Sequence, residues 1–486
     1  MLKDIKANLL RGSLITSLGQ IFSVALLFLS TSIIARLVVP EDLGKFFILL
    51  SISALLEIIV SLGLEPTLVK IITTADSSDK KDIFNRLLSL RIITQITISL
   101  IYLITFYSIK NLLYEWYEYR YYIMLLFNLS SLRNFFNAEL QANKKFKALV
   151  LIQVIQTALK VIAYLILGSI NGLTVINLLL VELFSIGSGF IIQLNHLTKN
   201  VTLRLYLDFN YSKKIFVFAL PLYFNSFLHV FQARMNNFLI ASFVNLQAVA
   251  NYEISRKIPD GFSRLSASLT LVYYPFISEL LFQNRVNEAE FLLNKYLKTL
   301  FSLLAPVFFI FFVFKEEIIL IAFSSKYIYV SFATFLLMVI FLFTFVSSLM
   351  GYTLVAAGKP NYSFHTNLLR TVVGFVLSIP LIYLWGYMGA IYSLLSSSIL
   401  GFFISKYYLE KVSLSIKVWE ILRSFLLVLI FIFIIKCIDN FYIRSLSVNV
   451  IIVFLLSLIY LLIESEFREK LIQSWNILIK SLKQLI

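Results

Sequence analysis

The chain has 486 residues, of which 59% are hydrophobic and 14% are charged, and its mean hydropathy of +0.88 excludes a soluble globular protein. One cysteine, Cys437, excludes an intramolecular disulfide, and three scattered histidines give no metal-ligand spacing, so we expect neither a metal nor a cofactor. Basic cytoplasmic loops explain the net charge of +16 without nucleic-acid binding.

The sequence predicts an all-α polytopic membrane protein with about 14 transmembrane helices, because a bilayer core needs about 20 apolar residues per helix. The first six predicted spans are Ser13–Ala35, Phe46–Leu64, Leu87–Tyr107, Tyr121–Leu140, Ala148–Leu167 and Thr174–Leu194. The next six are Ile215–Phe243, Phe262–Leu281, Tyr296–Phe314, Ser331–Ala356, Tyr362–Leu384 and Met388–Leu409. Two further spans, Ile421–Ile438 and Leu446–Ile463, precede a basic amphipathic tail that we expect to lie on the membrane surface.

An internal repeat relates the two sets of six spans. Offset by 206 positions, Ile33–Ile48 lies over Leu239–Ile254, and four positions are identical, among them Ile34/Ile240. The sequence therefore predicts two six-helix bundles in residues 1–195 and 215–412, joined by a cytoplasmic linker, 196–214. Two additional helices follow in 413–463, and the tail occupies 464–486. Since six helices separate the copies, they insert in the same orientation as a parallel repeat.

Lysine and arginine are unevenly divided between alternate loops. The loops on the side of the N-terminus and their edges hold 26 of these residues, and the opposite loops hold 11. This asymmetry predicts that both termini are cytoplasmic in a bacterial inner membrane. The connections are short and contain no Gly-rich phosphate-binding loop, which argues against an ATP-driven pump.

Charged side chains at membrane depth are costly, so they are the first candidates for function. Five bases lie within the predicted spans: Arg91, Arg133, Lys160, Arg234 and Arg370. Arg91 and Arg234 lie nearer the ends of their spans, where a long side chain can reach the membrane surface. Because arginine matches the geometry of phosphate, an excess of bases predicts a water-filled cavity that accepts an anion.

Fewer acids lie at the same depth. Glu57 and Glu182 could neutralise the buried bases or titrate during coupling to H⁺ or Na⁺, and Glu139 lies closer to the cytoplasm. His229 shares a face with polar residues of the seventh span. Uncharged polar side chains in the spans are also explained by hydrogen bonds between neighbouring helices.

Several motifs occur in a characteristic order. They are IIARLVVPEDLGKFFI (residues 33–48), LQANKKFK (140–147), FALPLYFNSFLHVFQARMNNFLIASFV (218–244), YYPFISEL (273–280) and the run from GYTLVAAGKPNYSF onward (351–397). Their order and spacing resemble the polysaccharide transporter, or oligosaccharide flippase, family, and the resemblance covers about residues 10–410. The superfamily of that family also contains the MATE drug exporters and the lipid II flippase.

The resemblance implies two six-helix bundles facing each other around a central cavity that opens alternately to each side. It also implies a polyprenyl-diphosphate-linked oligosaccharide as substrate, moved outward for O-antigen, capsule or exopolysaccharide synthesis. Members of the family are similar in placing basic residues in that cavity. One departure is that Arg234 is followed by Met235, Asn236 and Asn237, where the family often has an acid. This departure argues against a coupling role there.

We therefore expect a flippase and not an enzyme, in which the five bases attract the diphosphate or an acidic sugar. The expected partners are the lipid-linked oligosaccharide, membrane lipids, a coupling H⁺ or Na⁺ and the glycan polymerase machinery. Three alternatives remain open: a cation-coupled multidrug exporter, a membrane glycan polymerase or ligase, and a non-transporting scaffold. An exporter of cationic drugs should have acids dominating its cavity, and a polymerase or ligase should have larger outer loops.

Overall fold

The computed structural model describes residues 2–74, 79–108, 114–143, 145–198 and 209–419. This part of the chain is built from α-helices and short 3₁₀ helices and contains no β-strand. The last two predicted spans and the basic tail lie outside the described residues.

The helices follow the order of the predicted spans. The first seven are α1 (Leu2–Leu37), α2 (Pro40–Ser61), α3 (Leu64–Thr74), α4 (Lys80–Ser108), α5 (Arg120–Ala142), α6 (Phe146–Ser169) and α7 (Val175–Thr198). The next seven are α8 (Phe209–Phe243), α9 (Leu246–Phe282), α10 (Val286–Val313), α11 (Lys315–Ala322), α12 (Ser331–Ala356), α13 (Pro360–Trp385) and α14 (Tyr387–Glu410). Two 3₁₀ helices, Tyr114–Tyr119 and Ser325–Val330, precede α5 and α12. Each of the first twelve predicted spans overlaps a different α-helix, which confirms the all-α fold.

Most of these helices have the length and apolar composition that a bilayer requires. Within the described residues, nine can cross a membrane on that basis: α1, α2, α4, α6, α7, α10, α12, α13 and α14. Helices α5 and α9 are absent from this set, and both carry several charged or amide side chains. These more polar helices hold part of the site described below.

The repeat is visible in the helix boundaries. Helix α1 ends at Leu37 and α8 at Phe243, and α2 begins at Pro40 and α9 at Leu246. Both pairs of boundaries differ by the 206 residues that align the two sequences. The repeat thus places the same short break between the first two helices of each half.

The structure contains two compact units, which are described separately. The first comprises the described residues up to Leu269, with Ala322–Phe341 and Phe364–Leu400. The second comprises Thr270–Ile321, Leu342–Ser363 and the described residues from Gly401 onward. All seven candidate charged residues lie in the first unit. The domain boundaries at 195 and 215 stay a prediction.

Within the first unit, helices from both sequence halves pack together. Helix α1 packs on α6, α5 packs on α2 and α7, and α2 also packs on α8. The first turns of α2 and α9 approach especially closely, since a Cβ atom added to Gly44 would lie 1.8 Å from the backbone oxygen of Leu246. Only glycine permits this backbone contact.

Within the second unit, the ends of α9 and α12 line an open cavity of about 680 Å³. Its lining includes Tyr274, Ser278, Glu279, Phe282 and Gly358. None of the candidate charged residues lines this cavity, because all seven lie in the first unit.

Candidate functional site

Arg91 of α4 lies at the junction of several helices of the first half. Its side chain is fully buried, and the guanidinium donates to the backbone oxygens of Val60 and Ser131, at 3.0 Å each. It also forms an ion pair with Glu65 of α3. Since a buried guanidinium needs several acceptors, these contacts tie α2, α3 and α5 to α4.

Arg133 of α5 faces a carboxylate of α2. Its Nη2 donates to the side-chain oxygen of Asn134 at 2.9 Å, and the Asn134 amide in turn donates to Glu57. Arg133 is close enough to both Glu57 and Glu182 for their charges to act on it. Its Nε has no hydrogen-bond partner among the described residues.

Lys160 of α6 forms an ion pair with Glu182 of α7. The hydroxyl of Tyr164, one turn further along α6, donates to the same carboxylate at 3.3 Å. Both charged side chains are mostly buried, with 15% and 11% of their surfaces exposed.

In the first half, Arg91 and Lys160 are thus paired with carboxylates, and Arg133 is linked to Glu57 through Asn134. We call Arg91, Glu65, Arg133, Glu57, Lys160 and Glu182 the first-half network.

A different arrangement surrounds Glu253 near the start of α9. This carboxylate is 2% exposed and accepts a hydrogen bond from Lys257 Nζ at 2.9 Å. Arg234 Nη1 and Arg256 Nη1 each lie 3.6 Å from it. One buried acid thus faces three bases. Arg370 of α13 acts on the same histidine, His229, as Arg256, and we call these four residues together with Arg370 the second-half cluster.

Asn237 connects the second-half cluster to the first half. Its side-chain nitrogen donates to Glu253 at 2.8 Å and to the Ser51 hydroxyl of α2 at 2.8 Å. Lys257 also extends over the ring of Phe47 in α2, at 4.7 Å from the centroid. The position of Glu253 is therefore coupled to the packing of α2 against α8 and α9.

Two of the candidate bases, Arg133 and Arg370 of α13, have no carboxylate within ion-pair distance in the described part of the chain. Arg133 nevertheless lies close to Glu57 and Glu182, whereas no such acid acts on Arg370 among the described residues.

Arg370 Nη2 donates to the side-chain oxygen of Gln232 at 3.3 Å, and the buried Nε of Arg370 has no hydrogen-bond partner among the described residues. The rings of Phe231 and Phe375 meet at 5.4 Å beside it and fix α13 against α8. A guanidinium held this way retains donors for an anionic ligand.

His229 of α8 lies close enough to Arg370, Arg256 and Asp260 for their charges to act on its side chain. Arg256 also reaches Asp260, at 3.8 Å. Even with Asp260 included, the four bases of the second-half cluster exceed the two nearby acids. This region therefore has a net positive charge, which favours phosphate over a cationic ligand.

The sequence analysis missed the residues around Glu253. Glu253, Arg256 and Lys257 precede the predicted eighth span and were assigned to a loop, whereas the structure places all three in α9. A signal was present in the sequence EISRK, because positions three and four apart share a helical face. The structure also supplies an acid for Arg234, from α9 rather than from the residues that directly follow it.

Glu139 lies outside both groups of charges. It is buried at 4% exposure and accepts a hydrogen bond from the Asn143 side chain at 2.7 Å. Among the residues described, no group of acids, histidines and cysteine has the arrangement of a metal site.

Comparison with known proteins identifies the fold and the family. The structure resembles the lipid II flippase MurJ in an inward closed conformation, with a TM-score of 0.64, 16% identity, and coverage of 94% of this chain and 100% of MurJ. It also resembles an inward-facing multidrug resistance MATE family transporter, with a TM-score of 0.61, 16% identity, and coverage of 80% and 95%. At these identities the resemblance establishes the fold alone.

The names of two sequence relatives assign them to glycan synthesis. The capsular polysaccharide biosynthesis protein CapF of Staphylococcus aureus is 22% identical over 398 residues, which cover 81% of this chain and 97% of CapF. The "Probable low-salt glycan biosynthesis flippase Agl15" of Haloferax volcanii is 25% identical over 182 residues, 37% of each chain. The model of a family described as "Polysaccharide biosynthesis protein" matches residues 33–333, more than half of the chain. The chain therefore belongs to the polysaccharide biosynthesis protein family.

Proposed function

We propose that this protein is a flippase that translocates a polyprenyl-diphosphate-linked oligosaccharide across the cytoplasmic membrane. The observation that carries the proposal is the net positive second-half cluster, in which Arg370 has no carboxylate partner among the described residues. The family, and the glycan synthesis named for its relatives CapF and Agl15, support an oligosaccharide substrate.

The diphosphate is the part of such a substrate that a positive cluster can attract. Arg370, with Arg256 and Arg234, supplies donors of the fork geometry that phosphate accepts. The polyprenyl tail stays in the bilayer, because removing a long alkyl chain from lipid has no compensating contact. The protein moves the intact molecule by alternating access and breaks no covalent bond.

Coupling to a proton or sodium gradient would use the acids of the first half. Glu57 and Glu182 lie beside buried bases, so protonation of either would leave a base without its counter-charge. We place the protein in the bacterial inner membrane with both termini in the cytoplasm, where it would also meet the glycan polymerase machinery.

A cation-coupled multidrug exporter is the second candidate, because the fold is shared with MATE transporters. The charges distinguish the two functions, since the basic residues around Glu253 would repel a cationic drug. A membrane glycan polymerase or ligase would in addition need catalytic groups facing the sugars.

Deletion of the gene in its native host tests the proposal. We expect loss of surface glycan together with accumulation of complete lipid-linked repeat units on the cytoplasmic side. Normal surface glycan, in a host without a second flippase, would contradict the proposal and favour the drug exporter or a scaffold.

Complementation of the deletion strain tests the candidate residues. We expect Arg370→Ala to lower glycan export at an unchanged level of protein in the membrane, and Lys160→Ala, which breaks the pair with Glu182, to lower export only as far as the level of folded protein falls. Wild-type export by Arg370→Ala would exclude Arg370 from the substrate site, and a loss of export by Lys160→Ala at an unchanged protein level would assign Lys160 to it.

A further inference from the structure

A dense aromatic and acidic segment lies between α4 and α5. It is the 3₁₀ helix Tyr114–Tyr119, sequence YEWYEY, and the sequence predicts that it faces the outer side of the membrane. Because a 3₁₀ helix has three residues per turn, side chains three positions apart are aligned. Glu115 and Glu118 therefore form one row, and both are exposed.

The row formed by Trp116 and Tyr119 is fixed against α2. The ammonium of Lys45 lies 5.7 Å from the ring centroid of Trp116 and 5.1 Å from that of Tyr119. Tyr119 is only 5% exposed. Burial, together with the adjacent Glu118, raises the pKa of Tyr119, so its ring stays neutral beside the lysine. These contacts hold the 3₁₀ helix in one orientation.

A second cation orders the neighbouring rings. The guanidinium of Arg120 lies 3.8 Å from the ring centroid of Tyr117 and 4.2 Å from that of Tyr121, and its Nη1 donates to the backbone oxygen of Tyr117 at 2.6 Å. Trp116 and Tyr117 remain partly exposed, and Tyr121 is 51% exposed. The segment thus presents preorganised aromatic surface beside carboxylates, and we call Glu115–Tyr121 the aromatic platform.

This combination of groups suits carbohydrate. The C–H faces of sugar rings pack on Trp and Tyr rings, and carboxylates accept hydrogen bonds from sugar hydroxyls. An anionic lipid headgroup fits less well, because Glu41 and Asp42 in the first turn of α2 are also exposed and, with Glu115 and Glu118, add negative charge to this face.

We infer that the aromatic platform is a glycan-binding site that receives the sugar rings of the translocated oligosaccharide on the outer side. The inference rests on the proposed function, and it assigns the oligosaccharide a contact separate from the diphosphate contact at the second-half cluster. Since Lys45 and Arg120 already hold the rings in place, these side chains lose little conformational entropy when a ligand binds.

The test measures binding of a soluble glycan to the full chain in lipid nanodiscs. The probe is the oligosaccharide released by mild acid from the polyprenyl-diphosphate lipids of the native host. Binding is followed by tryptophan fluorescence after Trp385, Trp419 and Trp475 are replaced by Phe, and by saturation-transfer NMR on the chain that keeps all its tryptophans.

We expect the probe to change the fluorescence of Trp116. Glu115→Gln and Glu118→Gln should each raise the Kd by about fivefold to tenfold, since each removes a charged acceptor from an exposed position. Trp116→Ala should abolish saturation transfer. Trp385→Phe, which alters a 55% exposed tryptophan elsewhere, is the matched control and should leave the NMR signal unchanged.

Absence of binding by the wild-type chain, or a Kd in both glutamate variants equal to that of the wild-type chain, would overturn the inference. It would also be overturned if Trp116→Ala kept full saturation transfer, or if the variants altered only association with phosphatidylglycerol vesicles, which would indicate a membrane anchor. Translocation by wild-type protein in proteoliposomes, measured separately, shows whether the proposed flippase function stands when glycan binding at the platform fails.

Discussion

In the first half of the chain, Arg91 and Lys160 each form an ion pair with a carboxylate of another helix, whereas in the second half three bases share Glu253. Breaking a buried pair leaves an uncompensated charge and is costly, so paired bases contribute to the fold. Bases in excess of acids instead raise the local positive potential. The difference indicates that the first-half network mainly holds helices together and that the second-half cluster is the part suited to an anion.

The largest effect should come from replacing the acid on which the second-half cluster depends. Glu253→Gln leaves Arg234, Arg256 and Lys257 without their shared counter-charge and weakens the link through Asn237. We expect a loss of about 4 kcal/mol in stability, measured by thermal unfolding in detergent.

Glu279→Gln is the matched control for this variant, because Glu279 lies on the same helix but is exposed. A melting temperature for Glu253→Gln equal to that of the control would show that the carboxylate does not hold the cluster together.

Replacing one partner of the Lys160–Glu182 pair should lower stability by a smaller amount. Lys160→Met leaves the mostly buried Glu182 without its ion pair, and among the described residues the Tyr164 hydroxyl is then its only hydrogen-bond partner, so we expect a loss of about 3 kcal/mol. Adding Glu182→Leu should restore most of that stability in a double-mutant cycle. If the stability losses of Lys160→Met and Glu182→Leu add instead, the two residues do not stabilise the fold as a pair. The first-half network would then not be structural, which contradicts the difference drawn between the two halves.

Arg370→Ala should affect transport more than stability. Because Arg370 donates to the Gln232 amide and to no carboxylate among the described residues, its loss leaves no buried carboxylate behind and the melting temperature should stay level. Translocation in proteoliposomes should fall about tenfold, equivalent to about 1.4 kcal/mol. Arg370→Lys should give an intermediate rate because lysine keeps the charge but loses the fork of donors. A loss of folded protein comparable to that of Glu253→Gln would assign Arg370 a structural role.

The smallest effect on stability is expected at Glu57. Glu57→Gln keeps an oxygen that can accept from Asn134, and the charge of Glu182 still acts on Arg133, so we expect a change of about 1 kcal/mol or less. If Glu57 takes part in coupling, translocation by this variant should no longer respond to an imposed proton or sodium gradient. An unchanged response would remove Glu57 from the coupling assignment.

Much of the fold followed from the sequence because length, hydropathy and the repeat are local properties. The offset that aligns Ile34 with Ile240 also relates the ends of α1 and α8 at Leu37 and Phe243. Hydropathy does not predict the start of α9. The charged residues from Glu253 to Asp260 are too polar for a membrane span, so this part of the helix lies in a predicted loop. They are compatible with the helix since Arg256 and Lys257 pair with Glu253 one turn away.

The candidate site was harder to predict, because pairing depends on which helices meet. The five bases could be named from their depth, but the sequence did not show that Lys160 reaches Glu182 or that Arg91 reaches Glu65 in a helix read as a loop. The sequence also did not show that Arg370 has an amide, Gln232, and no carboxylate as its side-chain partner among the described residues.

The most direct test of the central claim is translocation of lipid-linked oligosaccharide, extracted from the native host, in proteoliposomes. Arg370→Ala is compared with the double variant Lys160→Met with Glu182→Leu, at equal amounts of folded protein. Without an imposed proton or sodium gradient, so that coupling through Glu182 does not enter, the second-half cluster predicts a rate about tenfold below wild type for Arg370→Ala and a rate within about twofold of wild type for the double variant. Equal rates for the two variants, or a loss confined to the double variant, would contradict this account.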